Sequence, residues 1–212
     1  VQRTSNDTYF RVHKINSSLV DSENTNLENE ITYNFNKTDM YVDIKASVFE
    51  DLTVKDSARY EYILPNITYG KTFFSNTLGA FDFSSNAYYS NYETNRHKKF
   101  LVNNINWSPF SKITKNGFVN TLEGMIKNTN YETKNTTKYK DDTTQNELQG
   151  VLSHKTSLPM KKDGIKYSKL FSPNFMLRYS PGHMRNLKSD GVMLNYSNIY
   201  ALNKTGEIED GL

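Results

Sequence analysis

Cysteine is absent from the 212 residues, so disulfide frameworks, thiolate zinc sites and cysteine nucleophiles are excluded together. Alanine is nearly absent, at five residues, beside 15 Tyr and 12 Phe. Few alanines among many aromatics make a poor recipe for helix and a good one for strand, and a helical bundle is excluded. No stretch approaches the roughly 20 apolar residues of a membrane helix. Residues 1–25 hold no apolar run with a small-residue cleavage site, so no signal peptide is read there. Neither charge sign dominates: 26 Lys+Arg against 23 Asp+Glu give +3, no basis for a nucleic-acid partner or a polybasic membrane patch. Val1 and the end at Glu207–Leu212 both look cut, which predicts a segment of something longer.

What the chain does have is asparagine, 26 residues of it, in a mixture with Lys, Tyr, Phe and Ile that suits an AT-rich genome more than a function. Its dominant pattern is alternation with period 2. Val192, Leu194, Tyr196, Tyr200 and Leu202 share one face, with Asn195 and Ser197 among the residues opposite. Tyr60, Tyr62 and Leu64 alternate likewise, as do Leu101, Ile105 and Trp107, and Phe175, Leu177 and Tyr179. Leu122, Met125 and Ile126 have helical spacing, but Gly124 among aromatics favours strand there. The alternation predicts strands over 8–16, 29–37, 40–50, 58–68, 78–90, 97–108, 117–131, 147–160, 165–180 and 190–203. Soluble domains average strands of roughly 5–6 residues. Transmembrane strands need about 9–11, and these ten fit that length.

The connections predict the same class. Long polar segments (17–28, 51–57, 91–96, 132–146 and 181–189) alternate with tight turns at Thr38-Asp39, Lys161-Lys162-Asp163-Gly164 and Lys204-Thr205-Gly206. An up-and-down outer-membrane barrel puts short turns on one side and longer loops on the other. Segments 69–77 and 109–116 are too long for the short side. Aromatics near predicted strand ends (Tyr60, Tyr69, Tyr88, Tyr89, Tyr92, Trp107, Phe110, Tyr131, Tyr167, Phe171, Tyr200) fit interfacial girdles, and the Asn, Ser and Thr opposite fit a wet lumen. The expected fold is therefore all-β, an antiparallel up-and-down transmembrane β-barrel segment. Another outer-membrane porin or receptor barrel shares this pattern. A soluble β-rich adhesin or carbohydrate-binding module also alternates on one face, and a mean hydropathy of −0.73 favours it.

Nothing in the sequence points to catalysis. His13, His97, His154 and His183 are scattered without metal-ligand spacing. Asp141-Asp142 follows a basic run in Thr/Asn-rich sequence and reads as a solvated loop. No nucleophile elbow and no phosphate-binding glycine loop is present. No catalytic residue, metal site or cofactor is expected. Pro65 and Pro173 lie within segments that otherwise read as strand, where each removes a ladder donor; a bulge or a strand starting one residue later accounts for either.

Two segments resemble a known family. Arg59-Tyr60-Glu61-Tyr62-Ile63-Leu64-Pro65-Asn66-Ile67 and Phe171-Ser172-Pro173-Asn174-Phe175-Met176-Leu177-Arg178-Tyr179-Ser180-Pro181-Gly182 are similar to motifs of the lipopolysaccharide-assembly proteins called LptD, also OstA or Imp. Thr94-Asn95-Arg96 and the strand ending Trp107-Ser108 fall between them in similar order. The motif residues so marked are Arg59, Tyr60, Tyr62, Pro65, Trp107, Pro173, Arg178, Tyr179, Pro181 and Gly182. The resemblance implies that residues 1–212 are part of the barrel. The N-terminal periplasmic jelly-roll, the remaining strands and the lateral seam would lie outside the segment. It implies transport of lipopolysaccharide in the outer membrane of a Gram-negative bacterium, assembling it at the outer-leaflet surface. The implied partners are an LptE-type lipoprotein plug, a periplasmic jelly-roll bridge and outer-membrane lipids. On this reading Val192, Leu194 and Tyr196 face lipid, the residues binding lipopolysaccharide stay unassigned, and Pro65, Pro173 and Pro181 interrupt strands.

Overall fold

The computed structural model describes residues 4, 8–16, 25–92, 96–136, 143–181, 196, 199–200 and 202. Almost all of them are antiparallel β. Eight strands follow one another in both sequence and space: β1 (Asn26–Lys37), β2 (Met40–Asp51), β3 (Tyr60–Ser75), β4 (Gly79–Tyr92), β5 (Arg96–Ser108), β7 (Val119–Lys134), β8 (Gln145–Ser157) and β11 (Asn174–Tyr179). A two-residue strand, β6 (Lys112–Ile113), pairs with β7; β9 (Met160–Asp163) and β10 (Ser168–Phe171) form a hairpin apart from the sheet. Strand joined to next strand throughout is the up-and-down order the alternation predicts. Leu122 to Lys127 lie within β7, so the period-2 reading wins there over the helical one.

By compactness the chain divides into two units, one over 1–71, 84–103 and 129–147, the other over 72–83, 104–128 and 148–212. In the first, β1 and β2 pair without interruption from Asn26↔Asp51 to Lys37↔Met40, and Thr38-Asp39 makes the tight turn. In the second, β8 and β11 pair from Ser157↔Asn174 to Leu152↔Tyr179.

The β2–β3 ladder carries an irregularity that explains Pro65. Lys45 pairs with Asn66 and Ser47 with Ile63, so two steps on β2 answer to three on β3. The extra residue sits at Leu64-Pro65, joined by a cis peptide bond. This is a β-bulge in the place where a proline has no ladder donor to lose. It also rescues the pattern. Before it, the apolar face of β3 takes the even positions Tyr60, Tyr62 and Leu64; after it, the odd positions Ile67 and Tyr69, opposite Ile44 and Val42. Without the extra residue, one half of the strand would turn its apolar side chains to the opposite face.

Several expected elements differ. Residues 8–16 hold one helical turn, Tyr9–Val12, rather than a strand. Phe10 alone is buried, against Leu27 and Leu52, and His13 stacks on Tyr9 at the i, i+4 spacing of a helix, with ring centroids 4.5 Å apart. Segment 69–77 is no loop: β3 runs to Ser75 and the turn is confined to 76–78, which removes one objection to the connection pattern. Segment 109–116 contains β6. The predicted strand 165–180 is two, β10 and β11, broken at Ser172-Pro173. Lys161-Lys162-Asp163 are strand residues of the side hairpin, not a turn between sheet strands. Turn chemistry marks a reversal of the chain without showing which sheet its arms join. In 190–203 the described residues Tyr196, Ile199, Tyr200 and Leu202 lie in turns or a bend, not strand. Val192, Leu194 and Gly182 lie outside the described residues, as do 204–206 and all of the connection 181–189 but Pro181.

Candidate membrane and lumen faces

Successive side chains of a strand point to opposite faces, so the ladder sorts each unit's residues into two sets. In the first unit one face carries Ile31, Tyr33 and Phe35 of β1 opposite Ala46, Ile44 and Val42 of β2. The other carries Glu30, Thr32 and Asn34 opposite Ser47, Lys45 and Asp43. In the second unit Phe175, Leu177 and Tyr179 of β11 share a face with Thr156, His154 and Leu152 of β8, while Met176 and Arg178 share the other with Lys155 and Ser153.

The large apolar side chains of one face are left exposed, unlike those of a soluble protein. On the apolar face Ile31 is 78% exposed and Tyr33 61%, with Phe35, Ile44 and Leu101 also exposed. In the second unit Ile105, Leu122, Ile126, Leu148, Leu152, Phe175, Leu177 and Tyr179 are exposed too. The shielded side mixes polar and apolar groups: Ser47, Ser90, Thr129 and Thr133 are buried in the first unit along with Tyr88, Phe100, Val102 and Tyr131, and Lys127 and Ser153 in the second along with Met125 and Val151. Monomeric soluble proteins rarely expose an apolar area beyond a few hundred Å². A sheet built this way is stable only where the apolar side meets something apolar. The sorting has exceptions: Val102, Met125 and Val151 are buried on the polar side, Tyr41 and Phe74 are exposed there, and Ser85 and Asn103 on the apolar side satisfy each other through a 2.7 Å hydrogen bond.

Hydrogen bonds knit the polar side. Asn86 donates to Asn66 Oδ1 at 3.1 Å and Thr68 Oγ1 at 2.9 Å, Ser90 to Glu61 at 3.0 Å, and Lys45 lies 4.0 Å from Glu30. Asp43 Oδ1, Asn86 Oδ1 and Ser153 Oγ are buried on this side without a protein partner, so each needs water or a ligand to complete its bonding. Tyr88, Phe100 and Tyr131, each under a tenth exposed, stack across β4, β5 and β7 with centroids 5.2 and 5.4 Å apart. Tyr88 and Tyr131 are thus members of an internal stack rather than of an interfacial girdle. The signal was present in the sequence, since both fall out of phase with the apolar positions of their strands.

The motif residues occupy both units. In the first, Arg59 meets Glu50, which is 3% exposed: Nη2 lies 2.6 Å and Nε 2.7 Å from Oε1, and the Tyr60 hydroxyl donates to the same oxygen at 3.0 Å. Arg59 Nη2 also reaches the Thr4 carbonyl at 3.5 Å. Tyr62 stacks beside Tyr60, centroids 6.2 Å apart, and Pro65 makes the bulge. The second unit holds the other motif residues that are described. Trp107 Nε1 donates to the Leu78 carbonyl at 2.7 Å and its ring stacks on Phe81. Gly124 lies under that ring: a Cβ there would sit 3.2 Å from Trp107 Cε3. Trp107, Tyr179 and Pro181 line one apolar groove of about 470 Å³ with Ile105, Ile126 and Leu152. The Pro173 carbonyl accepts from Leu158 N at 3.1 Å, closing the excursion that carries β9 and β10. Arg178 reaches the Leu202 carbonyl at 3.0 Å. The roles of Glu50 and Gly124 were not legible in the sequence, because each acquires its role only through contacts between strands.

Among the described residues no group of three His, Asp or Glu could hold a metal ion, and no helix is long and apolar enough to cross a membrane. Described strands of the sheet from β1 to β8, apart from β6, run 12 to 16 residues, beyond the roughly 9–11 that cross a bilayer at barrel tilt. No curated protein matches the chain. A family model described as LptD, LPS transport system D, matches residues 1–210. The chain therefore belongs to the LptD family, the outer-membrane β-barrel components of lipopolysaccharide transport in Gram-negative bacteria.

Proposed function

We propose that the exposed apolar faces are the lipid-contacting wall of the barrel and the polar faces its lumen, and that the protein assembles lipopolysaccharide at the outer-leaflet surface. The observation that carries this is the exposed apolar face, with Ser, Thr and Lys side chains among those buried opposite it. Lipid tails accept Ile31, Tyr33 and Leu101 at no hydrophobic cost. Sugar hydroxyls and phosphates match the hydrogen-bonding side chains opposite, among them Asn66, Asn86, Ser90 and Lys127. The polar side would also hold an LptE-type lipoprotein plug, whose surface must bond to groups such as Asp43 and Ser153. Lipid A would arrive through a periplasmic bridge docked on an N-terminal jelly-roll outside residues 1–212.

β1 and β11 are the outermost strands of the described sheet, and each presents one unpaired ladder edge. Backbone edges are not tolerated in hydrocarbon. Further strands of the same barrel would pair with them, and the lateral seam for lipid exit would lie between strands elsewhere. Pro65 bends the wall at its bulge, and Pro173 and Pro181 bracket β11.

The test is photocrosslinking in cells from a benzoylphenylalanine placed on the polar face. Positions Asn86 and Thr129 should capture lipopolysaccharide. Capture from neither polar position, with the protein assembled, contradicts the lumen assignment.

A further inference from the structure

In the first unit a groove of about 480 Å³ beside the bulge at Leu64-Pro65 is lined by Leu64, Pro65, Ala87, Tyr89 and Lys99, together with the buried Tyr88 and Phe100. We propose that this groove holds an acyl chain of an anionic, phosphate-bearing lipid of the surrounding bilayer, with Lys99 and His97 receiving the phosphate. The inference rests on the wall assignment above.

Three observations at this groove converge. The first is shape. Among the lining residues of β4, Ala87 offers only a methyl beside the larger Tyr88 and Tyr89, and Leu64 across the groove is exposed. The groove's volume lies within the range of small-molecule sites, about 300–1,000 Å³. The second is charge. Lys99 Nζ is 2.9 Å and His97 Nε2 3.8 Å from the same Glu132 oxygen, so a single carboxylate faces two groups able to carry positive charge. Lys99 spends one of its three donors on that carboxylate and its side chain is 52% exposed. A lipid phosphate can accept from the remaining donor directions. The third is depth. Lys99 is the fourth residue of β5 and Glu132 the third from the end of β7, which puts both within about 10 Å of the strand ends at 3.3 Å per residue. That is headgroup level, where the hydroxyl-bearing ring of Tyr89, 6.1 Å from His97, also belongs. Apolar groove, cationic rim and interfacial depth together describe one lipid, with its tail against Ala87 and its phosphate beside Lys99.

The experiment is native mass spectrometry of the full chain in detergent, titrated with phosphatidylglycerol or with diacylglycerol, which lacks the phosphate, of equal chain length. Phosphatidylglycerol should bind about tenfold more tightly, the worth of one charge-assisted hydrogen bond. Ala87→Phe should abolish the bound species for both lipids, and His97→Gln with Lys99→Gln should erase the preference while sparing chain binding. Excess inorganic phosphate should not displace the lipid. Equal retention of the two lipids by the unaltered protein overturns the proposal, as does unchanged binding in Ala87→Phe or displacement by phosphate alone. Heat-modifiable migration in gels is read on every sample. A chain that never forms a barrel contradicts the wall assignment, whereas a formed barrel without lipid preference contradicts only the groove.

Discussion

Arg59 and Glu50 show how much a single contact contributes at the end of the sheet. Glu50 is 3% exposed and its carboxylate takes three donors from Arg59 and Tyr60. Removing one member of a buried pair leaves the other charged and unpaired, at a cost of about 3–5 kcal/mol. Arg59→Leu should therefore destabilise the barrel by that much in urea unfolding from lipid vesicles. Arg59→Leu combined with Glu50→Leu should recover most of it. A near-neutral single variant contradicts the pairing. Arg59 and Tyr60 stood out in the sequence as part of a motif, whereas the pairing of Glu50 with them did not, because the chain passes from Glu50 through a turn and a short 3-10 helix before reaching Arg59, nine positions on. Gly124 makes the same point. It argued against helix in the sequence, but its reason is the Trp107 ring lying over it. Gly124→Val should displace that ring and weaken the bond from Trp107 to the Leu78 carbonyl, readable as a shift in tryptophan emission.

The bulged strand carries the logic at the scale of elements. A strand of 16 residues with one extra residue can keep Tyr60 and Tyr62 on the same face as Ile67 and Tyr69 only if the insertion is retained. Deleting Pro65 should invert one half of β3 and block assembly, seen as loss of heat-modifiable migration. Pro65→Ala, which keeps the count, should assemble. The period-2 signal made β1, β2, β4, β5, β7 and β8 legible because each is long and two-faced. It misplaced residues 8–16, where Phe10 docks alone, and the segment 165–180, where a side hairpin interrupts the sheet. Alternation records that a chain is extended, not which sheet it joins. That side hairpin, β9–β10, has its own pH dependence. Ser168 and Lys161 bond the Asp163 carboxylate and hold it below the usual carboxylate range. A depressed carboxylate stabilises the folded form above its ordinary pKa, and that contribution fades as pH falls through the lowered value. Amide exchange in 160–171 should therefore quicken as pH drops below the ordinary carboxylate range, after correction for intrinsic rates, and Asp163→Asn should remove the dependence.

In each unit the described sheet strands expose one apolar face and bury Ser, Thr or Lys side chains on the other, and the exposed apolar face bears on the environment of the protein. Leu101 lies near the middle of β5 and is exposed on the apolar face. Leu101→Arg should cost about 2–4 kcal/mol in vesicles if it lies near mid-bilayer, measured by the shift in urea midpoint. The class of fold was legible because strand length, one-sided alternation and the absence of cysteine agree. The faces were legible only in part, since the bulge and the internal aromatic stack depend on pairing between distant strands. The most direct measurement places single spin labels along β1 and β2 of the assembled protein, in a segment that contributes no cysteine of its own. Ile31→Cys, Tyr33→Cys and Ile44→Cys should be reached by oxygen dissolved in the bilayer, and Thr32→Cys, Asp43→Cys and Lys45→Cys by a water-soluble nickel chelate. Equal access of the nickel chelate to both sets, or the reverse order, contradicts the assignment of the apolar face to lipid.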